Sequence, residues 1–172
     1  RVTGGDFGPG WSLPASTIRP MTTRELYKGW AEEAGGSFLT TYYLIEKYRH
    51  VVVIRFSDEE VLKFRLDVTP KSSLMNPYSG INLKATYVPL EGTQGVLEAL
   101  NVSSIHLMMI NNQLLQFGTD PYDPVRFKLT RPDGTVYIVN KTTGLESMTD
   151  VYGHTITYSP NGITSSSGVS LS

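Results

Sequence analysis

Residues 125–139 have the sequence Val-Arg-Phe-Lys-Leu-Thr-Arg-Pro-Asp-Gly-Thr-Val-Tyr-Ile-Val, and this stretch decides the fold class. Apolar and polar side chains alternate over residues 125–130, and residues 135–139, rich in β-branched and aromatic side chains, follow Arg131-Pro132-Asp133-Gly134. Proline presets φ at the start of a turn, and Gly134 accepts the positive φ of a tight reversal. The stretch therefore predicts a β-hairpin in which Asp133 and Gly134 are structural turn residues.

The same pattern occurs earlier in the chain. Residues 50–57 and 60–68 flank a polar turn at Asp58-Glu59, and residues 105–110 and 113–117 flank Asn111-Asn112. Asparagine tolerates the left-handed conformation that a two-residue hairpin turn needs. Alternation along residues 60–68 assigns one set of side chains to the core and the other to water. The core set is Leu62, Phe64 and Leu66, and the water-facing set is Lys63 and Arg65.

The end of the chain continues this pattern with shorter strands. Residues 145–148 and 155–158 flank Asp150-Val151-Tyr152-Gly153, and Pro160-Asn161-Gly162 marks another reversal. Strands this short must pair with their neighbours to be stable. The fold class predicted is therefore mainly β: an antiparallel meander of hairpins that forms an open sheet, a sandwich or a partial barrel.

One segment near the N-terminus has the pattern of a short helix. Thr22 and Glu25 fit a capping box, the apolar residues that follow recur at helical spacing, and Gly35-Gly36 would end the helix. We expect a helix over residues 23–34.

Glycine, proline and serine mark the ends of the chain. We expect a Gly/Pro-rich arm over residues 1–20, one β-rich domain over 21–163 and a flexible tail over 164–172. Residues 71–80, which follow Pro70 and contain Pro77 and Gly80, are expected to form a long loop within that domain. The chain begins with Arg1 rather than Met, which suggests a piece of a longer polypeptide.

Composition excludes several function classes. The 172 residues include 15 Lys and Arg against 16 Asp and Glu, a formal charge of −1, and no Cys. Disulfide scaffolds, Cys-ligated zinc sites and cysteine enzymes are thereby excluded. Without a strong positive field or a long apolar run, we expect neither a nucleic-acid partner nor membrane insertion.

Candidate catalytic residues do not form a pattern. His50, His106 and His154 lie far apart in the sequence, and the acidic run at residues 58–60 falls in a predicted turn. Metal and acid–base sites need partners that converge on one point. We therefore expect a protein that is not an enzyme, with no catalytic residue, metal or cofactor.

Two segments resemble the Rhs/YD-repeat family. Residues 144–158 resemble its repeat, with a Gly-apolar start at Gly144, an Asp-x-x-Gly turn at Asp150 and Gly153, and a strand ending in Tyr158. Residues 6–13 look like the opening that precedes the first repeats, through Gly8, Gly10 and Trp11. The Tyr-Asp dipeptide is absent from its usual place, because Tyr122-Asp123 lies between two prolines, where we expect a turn.

The resemblance implies a role and a location. Proteins of this family wind a β-ribbon into a large shell, often around a toxic C-terminal domain, and bacteria secrete them or display them on the cell surface. The chain would then be an early segment of that shell, with Tyr158 turning its hydroxyl to water. Its partner would be the remainder of the parent polypeptide, and its open sheet edges would permit self-association.

Two other functions stay open at this point. Ten Tyr residues on strands could form a sugar-stacking platform, so a β-sandwich adhesion or carbohydrate-binding module is the first alternative. The second is a hydrolase with an unrecognised site. Binding to a glycan or turnover of a substrate would distinguish these alternatives from a structural segment.

Overall fold

The computed structural model describes residues 15–159, 162–165 and 170–171, which form short strands and two 3₁₀ turns. The 3₁₀ turns are Ala15–Thr17 and Tyr78–Gly80. In this part of the chain no helix is long and apolar enough to cross a membrane. The strands are β1 Pro20–Thr22, β2 Trp30–Gly35, β3 Thr41–Glu46, β4 Val51–Arg55, β5 Val61–Thr69, β6 Ser72–Leu74, β7 Lys84–Pro89, β8 Val96–Leu100, β9 Leu107–Ile110, β10 Gln113–Gln116, β11 Asp120–Pro121, β12 Arg126–Thr130, β13 Val136–Asn140, β14 Gly144–Thr149, β15 Thr155–Ser159, β16 Gly162–Ser165 and β17 Ser170–Leu171.

The strands form four sheets, and the pairs between neighbouring strands are antiparallel. The largest sheet has seven strands in the order β17-β16-β15-β14-β13-β12-β8, so that β12 to β17 form a continuous meander. A four-stranded sheet has the order β1-β4-β5-β7, and two three-stranded sheets have the orders β2-β3-β6 and β11-β10-β9. The mainly β, antiparallel fold class is confirmed.

Buried side chains from the four sheets form one apolar cluster. Along β5 the predicted alternation is confirmed, because Leu62, Phe64 and Leu66 are buried while Lys63 is exposed. Arg65 is half-buried, since its guanidinium is bound to Glu46. The seven-stranded sheet contributes a matching inner row. That row includes Phe127, Leu129, Val139 and Leu145.

The predicted turns are also present. Asn111 and Asn112 join β9 to β10 with φ values of 53° and 65°, the left-handed conformation expected of a two-residue turn. Gly134 and Gly153 have φ values of 92° and 88° and lie at hairpin turns of the seven-stranded sheet.

The predicted helix over residues 23–34 is wrong. Residues 23–29 form a loop, and Trp30–Gly35 is strand β2, paired with β3. Gly36, expected to end a helix, has a φ of 111° in the β2–β3 hairpin, where a Cβ would collide with the carbonyl of Leu39.

Tertiary hydrogen bonds explain why the helix is absent. Five consecutive carbonyls in the loop accept hydrogen bonds, four of them from donors at least 18 residues away. An intrahelical ladder would need several of these carbonyls for its own amides. The donor pairs are Tyr48 Oη to Glu25, Trp30 Nε1 to Leu26, Leu114 N to Tyr27, His50 Nε2 to Lys28 and Lys47 N to Gly29.

The structure also changes two smaller expectations. The segment 71–80 is not one loop, because it contains β6 and the second 3₁₀ turn. Tyr122, expected to lie in a turn, instead directly follows strand β11 outside any turn. Its side chain is fully buried, its hydroxyl lies 2.8 Å from that of Tyr87, and burial raises the pKa of Tyr122 to about 12.

Regular structure extends beyond the expected domain limits. Ile18 is fully buried and β1 begins at Pro20, within the segment expected to be an arm. Strand β16 extends to Ser165, and β17 pairs with it. The predicted motif residues Gly8, Gly10 and Trp11 and the turn residues Pro160 and Asn161 lie outside the described residues.

Candidate functional site

Two turns at one end of the seven-stranded sheet share a backbone hydrogen-bond frame. In the first, Arg131 N donates to Thr135 O (2.8 Å) and Gly134 N donates to Arg131 O (2.9 Å). In the second, Asp150 N donates to His154 O (2.9 Å) and Gly153 N to Asp150 O (3.1 Å). Both are three-residue hairpin loops closed by a glycine with positive φ, in which that glycine forms the bulge.

An aspartate carboxylate stabilises the same amide in both turns. Asp133 Oδ1 accepts a hydrogen bond from Thr135 N (2.9 Å), and Asp150 Oδ1 accepts one from His154 N (2.9 Å). The amide of Thr135 holds the pKa of the Asp133 carboxyl below its usual value of 3.8. The two aspartates occupy different places in the loop, so similar turn geometry arises from two different local sequences.

The two turns are neighbours as well as equivalents. Gly134 and Gly153 are nineteen residues apart in the sequence, and β13 pairs with β14 between them. A Cβ placed on Gly134 would lie 3.1 Å from Val151 Cγ1, so the first turn packs against the second. Successive hairpins therefore place their turns side by side along one end of the sheet.

Replacing Gly153 with alanine should lower the free energy of unfolding by about 1 kcal/mol. The glycine has a φ of 88°, which strains an L-residue, but no atom lies within 4 Å of the position that a Cβ would take. The expected loss is therefore conformational strain alone. Urea unfolding monitored by circular dichroism measures it, and an unchanged midpoint would contradict the turn assignment.

Gly144 and Tyr158, predicted as repeat positions, both lie on strands, but the expectation that the Tyr158 hydroxyl faces water is wrong. Gly144 begins β14 with a φ of 90°, and the carbonyls of Ala15 and Ser16 pack against it. Tyr158 lies on β15 against the core, and its hydroxyl is buried rather than turned to water. Burial, with a smaller contribution from nearby Tyr137, raises the pKa of Tyr158 well above its usual value.

The sequence did not reveal a second cluster, around His50. This side chain is fully buried, its Nδ1 lies 2.7 Å from Glu46 Oε2, and its Nε2 lies 2.6 Å from the carbonyl of Lys28. Each ring nitrogen thus lies within hydrogen-bond distance of an oxygen atom. Trp30 stacks on the imidazole with ring centroids 4.2 Å apart and planes 6° apart.

Arg65 completes this cluster from the adjacent sheet. Its Nη2 lies 2.6 Å from Glu46 Oε1, so the carboxylate lies between a guanidinium and an imidazole. A cavity of about 110 Å³ borders the cluster and is lined by Trp30 and Leu44 among others. Ligand sites usually measure about 300–1,000 Å³, so this space suits a few waters rather than a substrate.

Acid should weaken the fold through Glu46. Burial alone would raise the pKa of its carboxyl, but hydrogen bonds from Arg65 and His50 outweigh burial and hold that pKa below the usual 4.5. A pKa lowered by folding stabilises the protein above the unfolded value, and this contribution is lost as pH falls through the folded value. The free energy of unfolding should therefore decrease as pH drops below 4.5.

Urea unfolding at a series of pH values measures this dependence. In Glu46→Gln the free energy of unfolding should fall less in acid than it does in the wild type, because the side chain at position 46 no longer titrates. Glu59→Gln, at an exposed position in the β4–β5 turn, is the control and should retain the wild-type dependence. An acid dependence that is the same in Glu46→Gln and in wild type would contradict the assignment.

The remaining histidines and the acidic run do not join the cluster around His50. His106 stacks near Phe117 and His154 bonds to Asp150, and each of the three histidines directly precedes a strand rather than lying within one. Glu60 of the acidic run accepts a 2.6 Å hydrogen bond from Arg131. Among the described residues, no group of three or more His, Asp or Glu side chains could hold a metal ion.

The chain was compared with known protein families, curated proteins and solved structures. No protein family, curated protein or solved structure matches the chain. The assignment of a function therefore depends on the geometry of the chain itself.

Proposed function

We propose that this chain is a non-catalytic structural segment of a secreted or cell-surface Rhs/YD-repeat protein, to whose shell it contributes β-strands. The observation that carries the proposal is the pair of equivalent turns at residues 131–135 and 150–154, which pack side by side. Each turn closes one hairpin of the same meander. A chain that repeats this unit extends a sheet by two strands at a time.

The arrangement of the seven-stranded sheet supports this role. Strands β12 to β17 follow one another in both sequence and space, so each new hairpin pairs only with the one before it. Such nearest-neighbour growth is the property that lets repeat architectures lengthen without redesign of their core. Strand β17 forms one edge of the described sheet, where a further strand could pair.

The other clusters also favour a structural role. The Glu46 carboxylate is bonded to both His50 and Arg65, and His50 ties the loop at residues 23–29 to the core. Arg131 connects the first of the equivalent turns to Glu60 in the β4–β5 turn. The charged side chains in these clusters are thus engaged in joining the sheets.

Hydrogen exchange in the full parent polypeptide tests the proposal. In the isolated chain, β15 and β16 lie toward the β17 edge of the seven-stranded sheet, whereas β12 and β13 lie toward the opposite edge, which β8 forms. If further hairpins follow in the parent, exchange of the β15 and β16 amides should slow by about tenfold or more. The amides of β12 and β13 are the internal control and should exchange at the same rate in both.

Two results would overturn the proposal. Equal exchange of β15 and β16 in the isolated chain and the parent would mean that no shell extends from this edge. Binding to a glycan array that is lost when an exposed aromatic residue such as Tyr152 is replaced would favour the carbohydrate-binding alternative instead.

A further inference from the structure

Exposed apolar side chains are concentrated at one end of the three-stranded sheet β2-β3-β6. Of the twelve large hydrophobic side chains that are exposed in the described part of the chain, five lie there. Phe38 is 93% exposed, which is more than any other of the twelve. The five residues, called the apolar tip below, are Phe38, Leu39, Tyr43, Leu74 and Met75.

Backbone pairing joins the loop between β2 and β3 to the end of β6. Leu74 pairs with Thr41 at the first position of β3. Met75 N then donates to Thr40 O in the loop itself (2.7 Å). The two loop residues of the apolar tip directly precede Thr40 in the sequence. The apolar tip is therefore one surface that two separate segments of the chain form together.

The apolar tip does not contribute to the core. Residues 36–40 and 74–77 are all exposed, and among the described residues none of its five side chains belongs to the buried apolar cluster or packs against it. Hairpin loops usually carry Gly, Asn, Asp and Ser, and the turn at Asn111-Asn112 follows that rule. The φ of 111° at Gly36 calls for glycine there, but the loop geometry does not call for apolar side chains at the next positions.

Apolar side chains elsewhere on the surface are either half-buried or beside polar groups. The outward residues of β4 and β13 are half-buried rather than exposed. Tyr152 lies between Asp150 and His154, whose side chains are bonded to each other, and Phe117 stacks on His106. The apolar tip thus differs in the number of exposed apolar side chains that meet, and not in apolar composition alone.

The two segments that form the apolar tip carry no charge. No Asp, Glu, Lys or Arg occurs in residues 34–45 or 72–83. Glu33 and Lys71 lie three positions from Gly36 and Leu74, which is about 10 Å at the rise of a strand. Charged side chains are unfavourable among acyl chains and favourable in water and headgroups. The charge distribution therefore complements a layer that is apolar at the tip and polar about 10 Å behind it.

We propose that the apolar tip inserts into the interfacial layer of a lipid bilayer, with Phe38 and Leu39 entering deepest. Leu74 and Met75 would enter beside them from the end of β6. Tyr43 lies further along β3, which would place it at the level of the headgroups. Tyrosine is enriched at that level because its ring is apolar and its hydroxyl is polar.

This proposal goes beyond the proposed function, because the pairing of strands in a shell needs no apolar tip. It also revises the sequence-based expectation of no membrane insertion. That expectation rested on the net charge and on the absence of a long apolar run, and an interfacial contact requires neither a positive field nor a spanning segment.

The size of the apolar tip favours a bilayer over a second copy of the protein. Stable protein interfaces usually bury about 800 Å² on each partner and involve about 20–30 residues a side. The apolar tip has five residues. A bilayer supplies an apolar phase without needing a complementary surface, so a few side chains suffice for weak, reversible binding.

Sedimentation of the full chain with lipid vesicles tests the proposal. Vesicles of pure phosphatidylcholine, which carry no net charge, should bind the chain, and about 0.5 M NaCl should not weaken this binding. The double variant Phe38→Ala/Leu39→Ala should have a partition coefficient about tenfold lower or less, because the apolar area that it can bury is smaller. Tyr152→Ala and Phe117→Ala remove exposed rings elsewhere and are the matched controls, whose partition should equal that of the wild type.

Fluorescence quenching locates the inserted side chains. Lipids brominated on their acyl chains should quench the tryptophan of Phe38→Trp more strongly than the wild-type fluorescence. Tyr152→Trp is the control for an exposed ring at another turn, and its additional fluorescence should not be quenched.

Each other outcome would overturn the proposal. Failure to bind neutral vesicles, or binding that requires anionic lipid, would show that apolar insertion does not provide the affinity. Equal partition of the double variant and the wild type would place the contact elsewhere on the chain. Self-association without lipid that Phe38→Ala/Leu39→Ala abolishes would assign the apolar tip to a second copy.

Discussion

Replacing Phe64 with alanine should lower the free energy of unfolding by about 3–5 kcal/mol. The side chain is fully buried in the middle of β5, with Val52 opposite it on β4 and Pro89 opposite it on β7. Because three strands hold their backbones in register around it, the surrounding side chains can fill only part of the cavity. The measured loss should therefore include both the lost free energy of burying the ring and most of the cost of the cavity that it leaves.

Urea unfolding of Phe64→Ala and Lys63→Ala provides the matched test. Lys63 is the adjacent residue on the same strand, but its side chain is exposed. Its replacement should change the free energy of unfolding by no more than about 0.5 kcal/mol. Losses of similar size in the two variants would contradict the register of β5.

Replacing Gly144 with alanine should lower the free energy of unfolding by about 2–4 kcal/mol. The residue has a φ of 90°, and a Cβ would lie 2.5 Å from the carbonyl oxygen of Ala15 and 2.6 Å from that of Ser16. These contacts are with backbone atoms, which cannot rotate away as a side chain can. The 3₁₀ turn would have to move, although buried Ile18 anchors the chain just beyond it.

Comparison with Gly153→Ala separates the two causes of this loss. Both glycines have φ near 90°, so backbone strain should be similar, but only Gly144 has close neighbours. The excess loss in Gly144→Ala therefore measures the contact with the 3₁₀ turn. Equal losses in the two variants would mean that this turn is not held against β14 in solution.

The hairpins could be predicted from the sequence because their causes are local. The residues that determine the turns at 131–135 and 150–154 lie within five positions of one another. Proline and glycine restrict or permit φ whatever the rest of the chain does. Strict alternation along β5 likewise specified the faces of Leu62, Phe64 and Leu66, because a shift by one residue would expose all of them.

The cluster around His50, which includes Glu46, Arg65 and Trp30, could not be predicted in this way. Its members come from β3, the segment before β4, and β5, and the stacked Trp30 comes from β2. No spacing in the sequence brings these residues together. Only the packing of the three-stranded sheet β2-β3-β6 beside the four-stranded sheet does so.

The sequence alone determined the fold class, the positions of the turns and the register of β5, while the tertiary structure decided the conformation of residues 23–29. Local preference there favoured a helix, through the capping box and the apolar spacing. Carbonyls of the loop instead accept hydrogen bonds from distant donors such as Tyr48, His50 and Leu114. Helix propensity amounts to a few tenths of a kcal/mol per residue, so the hydrogen bonds from these distant donors and the stack of Trp30 on His50 outweigh it.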